Sequence, residues 1–248
     1  MANIHSSIQF ALVNIPVLLN PIIKNNDTSF NQLHKKCGER IRYVKYCPHC
    51  KTKINEQDII KGYPYVEDDY ITFKKEELDL LKPKNEKEIE IISFVPLESI
   101  DPIYFEKSYD INPEGKGKAY HLFCEALKKC KLVALAKTVI GSKFYYCILR
   151  FTEQNIVLTT LYFEEEIYVQ KDSNDYKVNQ KELDLAIQLI RSLKGKFEPT
   201  KYIDEYQENI KKAIDDKMKG KAIKKTKSKS KKQINDLMEA LEKSLKKK

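Results

Sequence analysis

Residues 7–19, SIQFALVNIPVLL, alternate apolar and polar positions through Ile8, Phe10 and Leu12. That period of two predicts a strand, with an edge or bulge at Pro16, which has no N–H to donate. Short runs rich in β-branched and aromatic residues predict further strands at 62–66, 69–73, 89–94, 132–140, 144–151 and 156–163. Between them, residues 118–130 place Ala119, Leu122, Phe123, Ala126 and Leu127 on one helical face. Many strands with one inserted helix imply a mixed β with α fold, a barrel or sandwich with helical decoration. After residue 178 the period lengthens. Leu183, Ala186, Ile187, Ile190 and Leu193 form a helical stripe ended by Gly195, and Thr200 is expected to cap a second helix carrying Ile203, Tyr206, Ile210 and Ile214. Residues 219–232, KGKAIKKTKSKSKK, predict a solvated linker, and Ile234, Leu237, Met238, Leu241 and Leu245 a short amphipathic helix.

Composition changes this picture at a few points. Apolar residues are 42% of the 248, enough to build a core, and seven Gly exclude a collagenous chain. No apolar run reaches the ~18 residues of a membrane span, and the first residues lack the basic start and cleavage site of a secretory signal. A cytoplasmic location without membrane partners is expected. The net charge of +9 lies wholly in residues 219–248, where 12 Lys face Asp236, Glu239 and Glu242. Residues 1–218 hold 33 basic and 33 acidic side chains. Such a neutral body can grip a polyanion only if its charges are sorted onto different faces.

Six cysteines in a reducing compartment are not read as a disulfide framework. Cys124, Cys130 and Cys147 sit among apolar residues and are expected as buried thiols. The other three belong to a motif, His34-x2-Cys37-x9-Cys47-x2-Cys50. Zinc takes four tetrahedral N/S ligands, and a C-x2-C turn lets two thiolates share one ion. A closed structural zinc site is expected on His34, Cys37, Cys47 and Cys50, with His49 as the alternative fourth ligand; three free thiols on a surface loop is the plainer reading. Around the motif, residues 24–61 carry nine basic side chains against Asp27, Glu39, Glu56 and Asp58. Lys and Arg at that density suit phosphate contact.

Signs of catalysis are weak. Gly115 and Gly117 in EGKGKAY lack the spacing and hydroxyl of a phosphate loop, and four histidines leave few acid–base candidates. Tyr63, Tyr65, Tyr104 and Tyr109 are expected as barrel-edge packing rather than base-stacking platforms. Two rival readings are a zinc-ribbon adaptor that reads bases directly and a DNA-processing enzyme.

HSSIQFALVNIPVLL, TSFNQLHKKCGERIRYVKYCPHC, DIIKGYPY, FVPLESIDPIYFEKSY and LDLAIQLIRSLKGKFEPTKYIDEY follow one another between residues 4 and 218. These blocks resemble, in order, those of the bacterial Ku family. The resemblance implies a Ku-like β-barrel core over 1–178 with a basic bridge insertion at about 26–61, a helical C-terminal arm over 179–218 for dimerisation and ligase recruitment, and a Lys-rich tail over 219–248. It implies a non-enzymatic homodimer, a ring threaded onto double-stranded DNA ends and near the nucleoid, working with the ATP-dependent DNA ligase D in non-homologous end joining. Phosphate contacts are expected from Lys35, Lys36, Arg40, Arg42, Lys45, Lys51 and Lys53, with Lys224, Lys225, Lys227 and Lys229 of the tail as a second contact. Two departures stand out. Ser7 and Ala11 occupy positions where relatives often carry glycine, expected to be mild within a strand, and some relatives lack the cysteine pattern.

Overall fold

In the computed structural model, which describes residues 3–66, 69–81, 88–169 and 179–223, the N-terminal alternation is split across two strands. Ile4–Phe10 (β1) turns at Ala11 and Leu12 into Val13–Pro21 (β2), with Phe10 facing Val13. The single strand expected here is corrected to a hairpin. Ala11 takes a left-handed φ of 49°, and Leu12 is fully exposed at the tip. Ala11 therefore sits in the turn, where a side chain is strained, and not in a strand where its exchange for glycine would be mild. Pro16 pairs with Ser7 without any register shift, so the proline marks neither edge nor bulge.

Next come Tyr46–Cys47 (β3), Thr52–Lys53 (β4), Lys61–Val66 (β5), Asp69–Phe73 (β6) and the short helix Lys75–Leu80 (α1). The barrel resumes with Glu88–Val95 (β7) and Phe105–Pro113 (β8), followed by Lys118–Cys130 (α2). Val133–Ile140 (β9), Lys143–Phe151 (β10) and Ile156–Leu161 (β11) complete it. Strand order around the closed barrel is β1-β2-β8-β11-β10-β9-β7, and a parallel pairing of Ile8 with Ile89 joins the ends. Closure leaves no edge strand. Strand β8 was not expected; its polar set Glu106, Ser108, Asp110 and Asn112 alternates with Phe105, Tyr109 and Ile111.

Every second residue points inward, as the pleat requires. Ile15, Val17 and Leu19 of β2, Cys147 and Leu149 of β10, and Ile156 and Leu158 of β11 meet in one buried cluster with Tyr120, Phe123, Cys124 and Leu127 of α2. Helix α2 thus has the expected bounds but a different buried face. Ala119, Leu122 and Ala126 are exposed. The face is rotated because Tyr120 inserts its hydroxyl into the barrel wall, donating to the Ile111 carbonyl at 2.6 Å and accepting from the Ile156 N–H at 3.0 Å. Cys124 and Cys147 are buried as expected, whereas Cys130, at the last turn of α2, is exposed.

The chain divides into two units, Met1–Asn25 with Asn31–Val169, and Asn26–Phe30 with Gln170–Lys248. In the second, Gln180–Ser192 (α3) and Glu205–Met218 (α4) are the two expected helices. Helix α3 stops before Gly195. The cap of α4 is Asp204, whose carboxylate accepts from the Gln207 N–H at 3.0 Å, and not Thr200, which lies in a 3-10 turn begun by Pro199. Thr28 donates its N–H and hydroxyl to Gln207 Oε1 at 3.0 and 2.9 Å, tying residues 26–30 to this helix. No helix among the described residues is long and apolar enough to cross a membrane.

Candidate nucleic-acid interface

The stretch between β2 and β7 gives the barrel no buried residue among those described. It is built from local turns instead. A bridge between Leu33 and Arg40 closes the first turn, with His34 N–H donating to the Glu39 carbonyl and Gly38 N–H to the His34 carbonyl, both at 2.8 Å. Gly38 adopts a φ of 71°, which costs glycine nothing. The second turn is the β3–β4 hairpin, pairing Tyr46 with Lys53 and Cys47 with Thr52, extended by an Ile54 N–H bond to the Lys45 carbonyl at 3.0 Å.

These turns display the expected cations. Lys35, Lys36, Arg40, Arg42, Lys45, Lys51 and Lys53 are all exposed, the first two inside the first turn and the last two on the second hairpin. Lys45 differs from the rest, since its ammonium is paired with the Glu56 carboxylate. The hydrogen bond and charge of Lys45, with Lys61 adding to them, hold the Glu56 carboxyl below its ordinary range. Phosphate would have to compete with Glu56 for Lys45, so the other six cations are the readier contacts. The tail residues Lys224, Lys225, Lys227 and Lys229, and the terminal amphipathic segment, lie outside the described residues.

The four expected metal ligands form two pairs. His34 Nδ1 lies 3.0 Å from Cys37 Sγ. In the second turn the Cys50 N–H donates to Cys47 Sγ at 3.5 Å. This bond, the Cys50 thiol and the His49 N–H, in that order, hold the Cys47 thiol below its ordinary value, and the neighbouring Cys47 pushes Cys50 up. His49 Nδ1 stands further off, 3.9 Å from Cys50 Sγ. Soft thiolates and an imidazole are the donor chemistry zinc prefers. Among the described residues, however, no three such side chains converge into one group.

Sequence patterning missed an exposed apolar surface. Tyr63 and Tyr65 are 64% and 71% exposed on β5, with Tyr70 and Ile71 exposed on the facing β6. This two-stranded sheet is separate from the barrel, so the barrel-edge role expected for Tyr63 and Tyr65 does not hold. Tyr109 does pack against the core, and Tyr104 is half-buried. The signal was present in KGYPYV and DYITF, which lack a polar face to give to water. Helices α3 and α4 likewise bury none of their residues and expose Ile190, Leu193, Tyr206 and Met218 of their region.

Comparison with known sequences joins these observations. The Ku70/Ku80 beta-barrel domain matches residues 9–185, which takes in the barrel from the end of β1 onward, both basic turns and the β5–β6 sheet. The chain belongs to the Ku family. Proteins called non-homologous end joining protein Ku are similar to it along nearly the whole of this chain. One from Lachnoclostridium phytofermentans is 39% identical, covering 98% of this chain and 95% of its own. Another from Desulfitobacterium hafniense is 39% identical over 96% and 85%, and one from Bacillus subtilis 38% identical over 96% and 79%. The Ku match places the seven-stranded barrel and its basic insertion in one evolutionary unit, and the longer relatives extend the similarity through α4.

Proposed function

We propose that this Ku chain binds the ends of double-stranded DNA without regard to sequence, as a ring-shaped homodimer that protects and bridges breaks. It then recruits an ATP-dependent DNA ligase, ligase D, in non-homologous end joining, and performs no chemistry itself. The observation carrying this reading is the near full-length similarity to relatives named for end joining. The exposed basic turns supply the physics. Lys and Arg on phosphate release counterions, an attraction indifferent to base identity and weakened by salt.

A second copy of the chain is supported by the β5–β6 sheet. An isolated two-stranded hairpin is marginal in water, and this one leaves Tyr63, Tyr65, Tyr70 and Ile71 exposed. Pairing with another protomer would bury them and close a ring around the duplex. The exposed stripes of α3 and α4 suit the dimer or ligase contact.

Replacing Arg40 and Arg42 with glutamine tests the assignment. Binding to unrelated duplexes should weaken alike, and the slope of log affinity against log salt should fall by about 0.9 for each phosphate no longer neutralised. Weakening confined to one sequence would favour the zinc-ribbon adaptor that reads bases. An unchanged slope would remove these arginines from the interface.

A further inference from the structure

We propose that residues 234–245 turn back as a helix against the apolar stripe of α4, antiparallel to it and within the same chain. On α4, Tyr206, Ile210, Ile214 and Met218 recur every four residues and so share one side. The helix buries none of its residues, and Tyr206 and Met218 are 71% and 81% exposed. A helix of this length is marginal in water until its apolar face is packed. Residues 234–245, which lie outside the described residues, carry the matching pattern in Ile234, Leu237, Met238, Leu241 and Leu245. Alone, such a segment is equally marginal. Each stripe runs for about 17–18 Å at the helical rise, so one covers the other from end to end.

The end of α4 starts the chain on this path. Gly220 takes a left-handed φ of 72°, its N–H donating to the Lys217 carbonyl at 3.0 Å and the Lys221 N–H to the Asp216 carbonyl at 2.8 Å. Those two bonds make a Schellman reversal. Beyond it the chain runs back beside the helix, where Lys221, Ala222 and Ile223 line one groove with Asn209, Ala213 and Asp216. They cover the flank next to the stripe and leave Tyr206 and Met218 open. Ten residues, 224–233, then precede Ile234, and they span at most about 35 Å against about 21 Å for the whole of α4. Both ends of the helix are within reach. A tether this short holds the segment near α4 at an effective concentration on the order of millimolar, ahead of any free partner.

Charge sets the direction. Helix α4 is acidic at its start, with Asp204, Glu205 and Glu208, and basic at its end, with Lys217, Lys219 and Lys221 beyond Asp215 and Asp216. Residues 234–248 have the same order, Asp236, Glu239 and Glu242 first, then Lys243 and the lysines at 246–248. Laid in parallel, like charges meet at both ends. Laid antiparallel, each acidic end meets a basic one and the two helix dipoles oppose each other. Exposed pairs contribute little each, so they choose the orientation while the apolar stripes supply the attraction. A partner that uses α4 has first to displace this cover, whereas α3 and its cap keep Ile190 and Leu193 exposed.

The test couples carboxylates to lysines in the full chain with a zero-length carbodiimide and maps the links by mass spectrometry in the single-chain band of a denaturing gel. Links from Glu205 or Glu208 to Lys243 or Lys246 are expected. Links from those lysines to Asp215 or Asp216 instead would overturn the antiparallel seating. Links confined to the two-chain band would give the stripe to a second copy and overturn the proposal. Hydrogen exchange reads the same contact without chemistry. Ending the chain after Gln233 should speed amide exchange over residues 210–218 roughly tenfold, as should the milder Leu241→Asp, while β9, β10 and β11 stay unaltered. Absence of any link between the two segments, or unaltered exchange of α4 in either variant, would overturn the docking. Because neither DNA nor ligase is present, failure here is separable from failure of the end-binding reading.

Discussion

Removing one oxygen atom from the barrel, by Tyr120→Phe, tests how α2 is locked to the wall. Tyr120 is 1% exposed, and its hydroxyl stands between Ile111 and Ile156, which face each other across β8 and β11. Burial, above all, pushes its phenol above the ordinary range, so the hydroxyl stays protonated and able to donate. Phenylalanine keeps the ring and its apolar contacts, so the loss is confined to the hydroxyl's own interactions, above all its two backbone hydrogen bonds. Each such bond contributes about 1 kcal/mol net, and an orphaned buried N–H at Ile156 costs about 1–3 kcal/mol. The Ile111 carbonyl, with a second lone pair, suffers less. The sum is about 2–3 kcal/mol, or a fall in Tm of about 5–10 °C for a chain of this size. Thermal and urea unfolding followed by circular dichroism would measure it. A loss below about 0.5 kcal/mol would mean that the two backbone groups pair directly once the hydroxyl is gone, and that Tyr120 is no lock.

Other expectations follow from single positions. Ala11→Gly should stabilise the β1–β2 turn by about 0.5–1 kcal/mol, the left-handed strain relieved less the added freedom of the unfolded chain; a destabilised variant would show that Ala11 is unstrained. The Cys147 thiol, fully buried, is pushed up to about 12. The folded state keeps this proton after the unfolded chain loses its own near pH 8.5, so stability is intact below that point and falls as pH rises toward 12, by about 1.4 kcal/mol per unit. Urea melts of Cys147→Ala between pH 9 and 11 should show a slope shallower by that amount, and equal slopes would place the thiol's ionisation elsewhere. Ending the chain after Met218 should lower the salt dependence of DNA binding while keeping preference for ends, and an unaltered dependence would assign the Lys-rich tail to solubility alone.

What was legible depended on whether a pattern had one physical cause. Strands β9, β10 and β11 are buried on the barrel side and read directly as β-branched and aromatic runs. Helix α2 declared its limits, but its buried face includes Tyr120 and Cys124, whose role comes from the wall they touch and not from hydropathy. The turn at Ala11–Leu12 was invisible because neither residue favours a turn; closure of the barrel imposes the left-handed conformation there. Asp204 displaced Thr200 as a cap because Pro199 starts a separate 3-10 turn first. In the candidate interface, spacing found both donor pairs and the basic cluster. The pairing of Lys45 with Glu56, eleven residues on, needed the hairpin register to appear. The exposed β5–β6 sheet was found as strands but misread as packing, since an aromatic, β-branched run reads alike in sequence whether its side chains end buried or exposed.

Encirclement of a duplex entered from its end is most directly tested by competition between linear and covalently closed circular DNA of one sequence and length. Both present the same phosphates, so simple electrostatic attraction treats them alike. The linear form should compete strongly and the circle poorly, with the difference persisting as salt is raised. Equal competition by the closed circle would contradict the ring and, with it, the proposed action at broken ends.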